Sequence, residues 1–176
     1  EKKLGYPCFV KPANAGSSVG ITKAHNKDEL IEGLKLAAAH DSKIVVEKAV
    51  VGREIECAVL GNGSRIEASC VGEIIAAAEF YDYDAKYNNS ESKTVVPAVI
   101  SKEKQDEIRN MAVKVFKAVD GSGLARVDFF VENETENVIF NELNTLPGFT
   151  PISMYSMLWS ACGKPMNVLL DELIDL

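Results

Sequence analysis

The chain has 176 residues, about one domain, with 47% hydrophobic and 26% charged residues, the balance of a globular and not a disordered protein. Nineteen Lys and Arg against 26 Asp and Glu leave a net charge of −7, which argues against nucleic acid or an anionic membrane as the main partner. No apolar run approaches the roughly 18 residues of a membrane helix, and the scattered Cys8, Cys57, Cys70 and Cys162 form no C-x-x-C pair, so they read as reduced thiols of a cytosolic protein.

The chain opens without an initiator Met and runs at once into strand-like Phe9-Val10-Lys11, as the middle of a longer polypeptide would. We therefore expect the C-terminal part of a larger enzyme. Residues 8–12 read as a short strand, and 13–20 as a Gly/Ser loop leading to another short strand. Residues 26–40 read as a helix with Asn26 as N-cap and Glu29 in the capping-box position. Leu30, Ile31, Leu34 and Ala38 recur on it at helical spacing. Lys43 to Val50 is a Val/Ile-rich strand, Gly52 breaks it, and Arg53 to Leu60 is the next. Asn62-Gly63 marks a tight turn before a strand over about 69–75. The stretch 80–97 is long, polar and tyrosine-rich, the pattern of a functional loop. Ser101 opens a second helix with Ile108, Met111, Ala112, Val115, Phe116 and Val119 on one face. Asp120-Gly121 closes it, with Gly121 expected to supply the left-handed cap. The run 168–176 reads as a last helix with an apolar stripe.

Leu124 to Val131 and Val138 to Asn144 are β-rich runs around the turn-forming Asn133-Glu134-Thr135-Glu136-Asn137. A hairpin centred on Thr135 sets Asp128 opposite Glu142 and Arg126 opposite Asn144. The two-residue period of a strand then puts all four side chains on one face. Two directly opposed carboxylates repel, and a divalent cation between them turns that repulsion into binding. Asp128, Glu142 and Asn144 offer only oxygen ligands, which suits a hard ion such as Mg²⁺. Zinc would call for His or Cys, and the two histidines, His25 and His40, stand at a strand end and a helix end.

Other candidates are weaker by residue type alone. Ala15-Gly16-Ser17-Ser18-Val19-Gly20 can bring backbone N–H groups and hydroxyls to an anion, or serve as an ordinary turn. It lacks the Gly-Lys-Ser/Thr of a Walker A loop. Lys11 and Lys86 could complete a phosphate cage or be solvated. Glu47, at the end of a strand, offers an acid for ribose hydroxyls. Glu54 and Glu56 share a face, and solvated strand charges account for both. No Ser-His-Asp or Cys-His arrangement can be assembled.

Six segments occur in order: Phe9-Val10-Lys11-Pro12, Gly16-Ser17-Ser18-Val19-Gly20, Gly52-Arg53-Glu54, the run from Phe80 to Tyr87, the run from Gly123 to Asp128, and the run from Asn141 to Thr150. Together they resemble the D-alanine–D-alanine ligase family of ATP-grasp enzymes, over essentially the whole chain. The resemblance implies an α+β ATP-grasp fold. Residues 1–51 would be part of the small lid subdomain, incomplete at its front, and residues 52–176 the large C-terminal subdomain with a mainly antiparallel sheet.

In that family ATP is clamped between two subdomains, so the resemblance implies Lys11 and Lys86 on the phosphates. Gly16, Ser17 and Ser18 would lie in a loop that is mobile without nucleotide and closes over them, as would 80–97. Glu47, Lys48 and Val50 would flank the adenine and Glu54 the ribose. Phe130, Asn141 and Glu142 would complete the nucleotide site. Asp128, Glu142 and Asn144 correspond to the ligands of two Mg²⁺ ions, with Mn²⁺ as a substitute. Arg126 corresponds to the arginine that stabilises the tetrahedral intermediate, and Tyr87 pairs with Ser17. Arg126, Asn144, Gly148, Ser153 and Met154 match the positions that meet the amino-acid substrate.

The implied activity joins two D-alanines through a D-alanyl phosphate, for peptidoglycan precursors in the bacterial cytoplasm, with a homodimer compatible with the full-length protein. The family's N-terminal domain, which holds the first D-alanine, has no counterpart here, so turnover by the fragment alone is not expected. D-Alanine–D-serine ligation, another ATP-grasp ligation and a nucleotide-binding module without turnover are the alternatives.

Overall fold

The computed structural model of the chain describes residues 2–16, 18–75 and 93–176, which fall into two compact units: 2–50, and 51–75 with 93–176. In the first, strands β1 (Cys8–Pro12), β2 (Thr22–Ala24) and β3 (Ile44–Lys48) form an antiparallel sheet in the order β2-β1-β3. Alternation along β1 buries Cys8, Val10 and Pro12 under helix α1 (Lys27–Ala38) and turns Phe9 and Lys11 to the other face.

Asn26 Oδ1 accepts the Glu29 N–H at 3.0 Å, and the Glu29 carboxylate accepts the His25 N–H at 2.8 Å, a capping box reaching one residue further back than usual. The buried face of α1 differs from the expected Leu30, Ile31, Leu34 and Ala38 stripe. Gly33 and Ala37 are its buried residues, and Ile31 is exposed. The reason is close approach: a Cβ on Gly33 would stand 3.0 Å from Thr22 Cβ, so the smallest residues define the contact line.

The second unit is a five-stranded antiparallel sheet of β4 (Gly52–Asn62), β5 (Arg65–Ile75), β6 (Lys93–Val95), β7 (Gly123–Glu132) and β8 (Val138–Asn144), in the order β6-β5-β4-β7-β8. Helix α2 (Lys102–Ala118) covers one face, packing Ile108, Ala112 and Phe116 on Ile55, Cys57, Val59, Val127 and Phe129. Helices α3 (Met154–Ala161) and α4 (Met166–Ile174) pack Tyr155, Leu158, Trp159 and Leu169 on Ala58 and Leu60 of the other face. Glu54, Glu56, Arg126 and Asp128 lie further along the same face of β4 and β7, and the apolar cluster reaches beside them on β5 through Ile74.

The motif residue Arg53 serves the fold. It donates from Nε and Nη2 to the buried Glu73 at 2.7 and 2.6 Å, and from Nη2 to the Val99 carbonyl at 3.0 Å. No helix among the described residues is long and apolar enough to cross a membrane.

Other differences from the sequence expectations have local causes. β5 starts at Arg65 and not near residue 69, because the turn at Asn62-Gly63 pairs Asn62 directly with Arg65. The end of the 80–97 stretch is strand, since Lys93, Thr94 and Val95 pair with Ile75, Ile74 and Glu73. Residues 80–92 of it lie outside the described residues, as does Ser17 of the other expected closing loop. At the end of α2 it is Asp120 that turns left-handed (φ 55°), and not Gly121, whose N–H bonds the Phe116 carbonyl at 2.9 Å. An aspartate tolerates this conformation better than most side-chain-bearing residues.

Gly61 carries the strictest backbone requirement. Its φ is +128°, and a Cβ there would come within 1.8 Å of the Arg65 carbonyl oxygen. Gly61→Ala is therefore expected to cost at least about 2 kcal/mol of stability. A urea titration followed by Trp159 fluorescence checks it, since this single tryptophan is buried in the same unit.

Candidate active site

The charged cluster begins with strand register. Arg126 pairs with Asn144, Val127 with Leu143 and Asp128 with Glu142, as the hairpin reading requires. Beyond Asp128 the register shifts, and Phe129 pairs with Phe140, leaving Asn141 as an extra residue in β8. The bulge has a chemical consequence. Phe140 and Glu142 are two apart and would share a face in a regular strand. With Asn141 bulged, Phe140 lies beside Phe129 on the α2 side, their rings 6.2 Å apart, while Glu142 stays with Asp128 on the other.

On that other face β4 contributes Glu56 directly opposite Asp128, so Glu56, Asp128 and Glu142 form a row across three adjacent strands. Asp128 is 2% exposed and Glu56 5%, whereas Glu142 is exposed. Arg126 makes the row tolerable. Its Nε and Nη2 donate to Asp128 Oδ1 and Oδ2, each at 2.7 Å, and Nε stands 3.1 Å from Glu56 Oε2. Burial by itself would lower the Arg126 pKa, but the hydrogen bonds and charge of Asp128, and then the charges of Glu56 and Glu142, outweigh it and raise it. The guanidinium is thus a fixed positive charge. Asn144 Nδ2 lies 3.3 Å from both Asp128 Oδ2 and Glu142 Oε1, and a half-turn of the amide would bring its oxygen to the same place.

Two carboxylates and an amide are a donor set for a hard divalent cation, and Glu142 is open to receive one. No group of three or more His, Cys, Asp and Glu among the described residues is arranged for a metal. Arg126 offsets part of the charge of the set and occupies both oxygens of Asp128.

Sequence reasoning underrated Glu56. It read as a solvated charge alongside Glu54, yet it is buried at the centre of β4. The signal was present: a lone carboxylate inside the apolar run from Ile55 to Leu60 must be paired if that run is core. Glu54 pairs with Phe130, one step along the same face, and both are half-buried.

In the first unit, Lys11 and Glu47 meet on the sheet face away from α1, Nζ to Oε2 at 2.8 Å. Lys48 pairs with Cys8, so its side chain takes the opposite face from Glu47. Val50 is half-buried, Gly16 is exposed, and Ser18 holds a left-handed backbone (φ 59°). Ser17, Lys86 and Tyr87 lie outside the described residues.

The segment before α3 brings Gly148 and Ser153 together. Ser153 Oγ accepts the Thr150 N–H at 3.1 Å, and a Cβ on Gly148 would stand 3.0 Å from that Oγ. Met154 parts from them. Its side chain is 7% exposed in the core under α3, where its sulfur would be 2.9 Å from a Cβ on Gly72.

The family model described as D-ala D-ala ligase C-terminus matches residues 1–175. A D-alanine–D-alanine ligase of Acetivibrio thermocellus is 58% identical over 176 residues, covering 100% of this chain and 46% of that protein. D-alanine–D-alanine ligase B of Clostridium tetani is 57% identical over 175 residues, 99% of this chain and 49% of that protein. Among solved structures, the VanG D-Ala:D-Ser ligase from Enterococcus faecalis aligns with a TM-score of 0.89 at 41% identity, over 99% of this chain and 50% of its own. The Bacillus anthracis D-alanine–D-alanine ligase complexed with ATP aligns with a TM-score of 0.79 at 32% identity, over 99% of this chain and 54% of its own. The chain thus has the α+β fold of the ATP-grasp ligases and spans about half the length of the curated relatives it matches. Taken with the register that gathers Arg126, Asp128, Glu142 and Asn144, the match over residues 1–175 means that this chain belongs to the D-alanine–D-alanine ligase C-terminal family.

Proposed function

We propose that the full-length protein carrying this chain joins two D-alanines at the expense of ATP, forming a D-alanyl phosphate that the amine of the second D-alanine attacks. The observation that carries this reading is the grouping of Arg126, Asp128, Glu142 and Asn144 on one sheet face, with Asp128 buried and Glu142 exposed. Phosphoryl transfer needs positioning and charge neutralisation more than covalent help. Asp128, Glu142 and Asn144 would hold Mg²⁺, two ions in the full site with Mn²⁺ as a substitute, and the metal would supply charge neutralisation at phosphate oxygens. Arg126, kept protonated by its carboxylate neighbours, stabilises the oxyanion of the tetrahedral intermediate.

In this reading Lys11 serves the ATP phosphates, Glu47 the base and Glu54 the ribose, and Phe130 and Asn141 are nucleotide contacts. Lys48 contributes its backbone there and Val50 flanks the adenine. Ser18 serves the phosphates in this reading, and Ser17, Lys86 and Tyr87, outside the described residues, keep the phosphate and substrate roles that the resemblance implies. Gly148 and Ser153 receive the second D-alanine. The product feeds peptidoglycan precursor synthesis in the cytoplasm, by an enzyme that acts as a homodimer. The bacterial relatives named D-alanine–D-alanine ligase support the substrate assignment.

A second reading, with D-serine as the acceptor, is favoured by the alignment with a D-Ala:D-Ser ligase. The burial of Met154 under α3 removes its side chain as an argument against serine. An apolar pocket rejects an added hydroxyl by only about 10²-fold at best.

Two measurements on the full-length protein check the proposal. Asp128→Asn or Glu142→Gln should weaken Mg·ATP binding about tenfold or more by calorimetry, since each removes an anionic oxygen ligand. Unchanged affinity in both variants would remove the cation site. In an ATP-consumption assay with D-alanine as first substrate, D-alanine should be the best second substrate, D-serine next and D-lactate poor at pH 7. Faster turnover with D-lactate would overturn the dipeptide assignment, and a preference for D-serine would select the second reading.

A further inference from the structure

We infer that Glu56 is a positioning residue for Arg126, an assignment that rests on the ligase reading for its catalytic meaning but not for its geometry. Glu56 lies inside a strand stretch, Ile55 to Leu60, in which every residue is buried. A buried carboxylate costs several kcal/mol unless it is paired and hydrogen-bonded. Here the charge faces the guanidinium of Arg126 across 3.1 Å.

The surroundings are shaped for that contact. Directly opposite Arg126 on β4 is Ala58, whose small side chain leaves the arginine free to lean diagonally toward Glu56. On the β5 side Glu56 pairs with Gly72, over which Met154, Leu158 and Val96 pack, so that flank offers the carboxylate no polar partner side chain from its paired residue. The guanidinium is therefore bonded bidentately by Asp128, while Glu56 sets a second negative charge 3.1 Å from the same Nε without accepting a hydrogen bond at Oε2.

Asp128 would not do this alone in the proposed reaction, because a cation held there would compete with Arg126 for its carboxylate. Glu56 is outside the candidate cation ligands and keeps its hold. An arginine on a flexible stem with one shared hydrogen-bonded anchor can swing about it; a second fixed negative charge beside Nε draws the guanidinium back to one place.

The test uses the full-length protein with Glu56→Gln, which keeps the shape and removes the charge. Arg126 reactivity toward phenylglyoxal, read by mass spectrometry, should rise several-fold, while Arg53 and Arg109 in the same samples stay unchanged. In the ligase assay kcat should fall about tenfold, with KM for ATP and D-alanine within about twofold, as for a misdirected catalytic group. Glu56→Asp, which restores the charge, should recover part of both. In an Arg126→Ala background, Glu56→Gln should add no further loss of kcat, because a residue that acts through another has nothing left to position. Unchanged Arg126 reactivity, a parallel rise at Arg53 and Arg109, or additive losses would each overturn the inference. Absence of ADP formation by the unaltered protein would sink the ligase reading instead, and the phenylglyoxal comparison would still decide whether Glu56 holds Arg126.

Discussion

One guanidinium between two buried carboxylates makes the polar end of the five-stranded sheet possible. Glu56, Asp128 and Glu142 stand in a row on neighbouring strands, an arrangement that like charges oppose in a sheet. Arg126 offsets two of them at contact distance and raises the tolerance of the site for the third. The remaining negative charge is what a hard cation and the phosphates it carries would meet. Structure and chemistry therefore depend on the same ion-pair group, which has to be strong enough to fold and yet willing to share Asp128.

The sheet face that carries this group is split along β4. Ile55, Cys57 and Val59 alternate toward α2, and the residues between them turn the other way. Of those, Glu54 and Glu56 are acidic, while Ala58 and Leu60 are apolar and covered by α3 and α4. One strand thus supplies the wall of a polar site and the floor of a core within four alternate positions. The Gly148–Ser153 segment leads directly into α3, so the helix that covers the apolar end also fixes the loop beside the polar end.

Much of this was legible in the sequence because strands obey a period of two. The pairs Asp128–Glu142 and Arg126–Asn144 are those of a turn centred on Thr135, although next to the turn Val131 pairs with Val138, one residue off that register, and the bulge at Asn141 restores it. The Asn26–Glu29 cap was equally local. The bulge at Asn141 was not legible, since it answers the need to send Phe140 to the α2 side and Glu142 to the other, a need that exists only once Phe129 and α2 are in place. The α1 stripe was misread for a related reason: apolarity chose Ile31 and Ala38, but the closeness of Thr22 made Gly33 and Ala37 the contact.

The sequence by itself determined most of the elements and the donor types, because those depend on neighbours within a turn or a hairpin; β6 and α3 were not among them. It also carried six ordered motifs of an ATP-grasp family, matched by the family model over residues 1–175. Tertiary structure alone decided which charges are buried and what they touch. Glu54 and Glu56 are the same residue type two positions apart on one face. Only the docking of β7 on β4, with Ala58 leaving room beside Arg126, makes Glu56 a buried partner of that arginine, because the price of burying a carboxylate is set by strands distant in sequence.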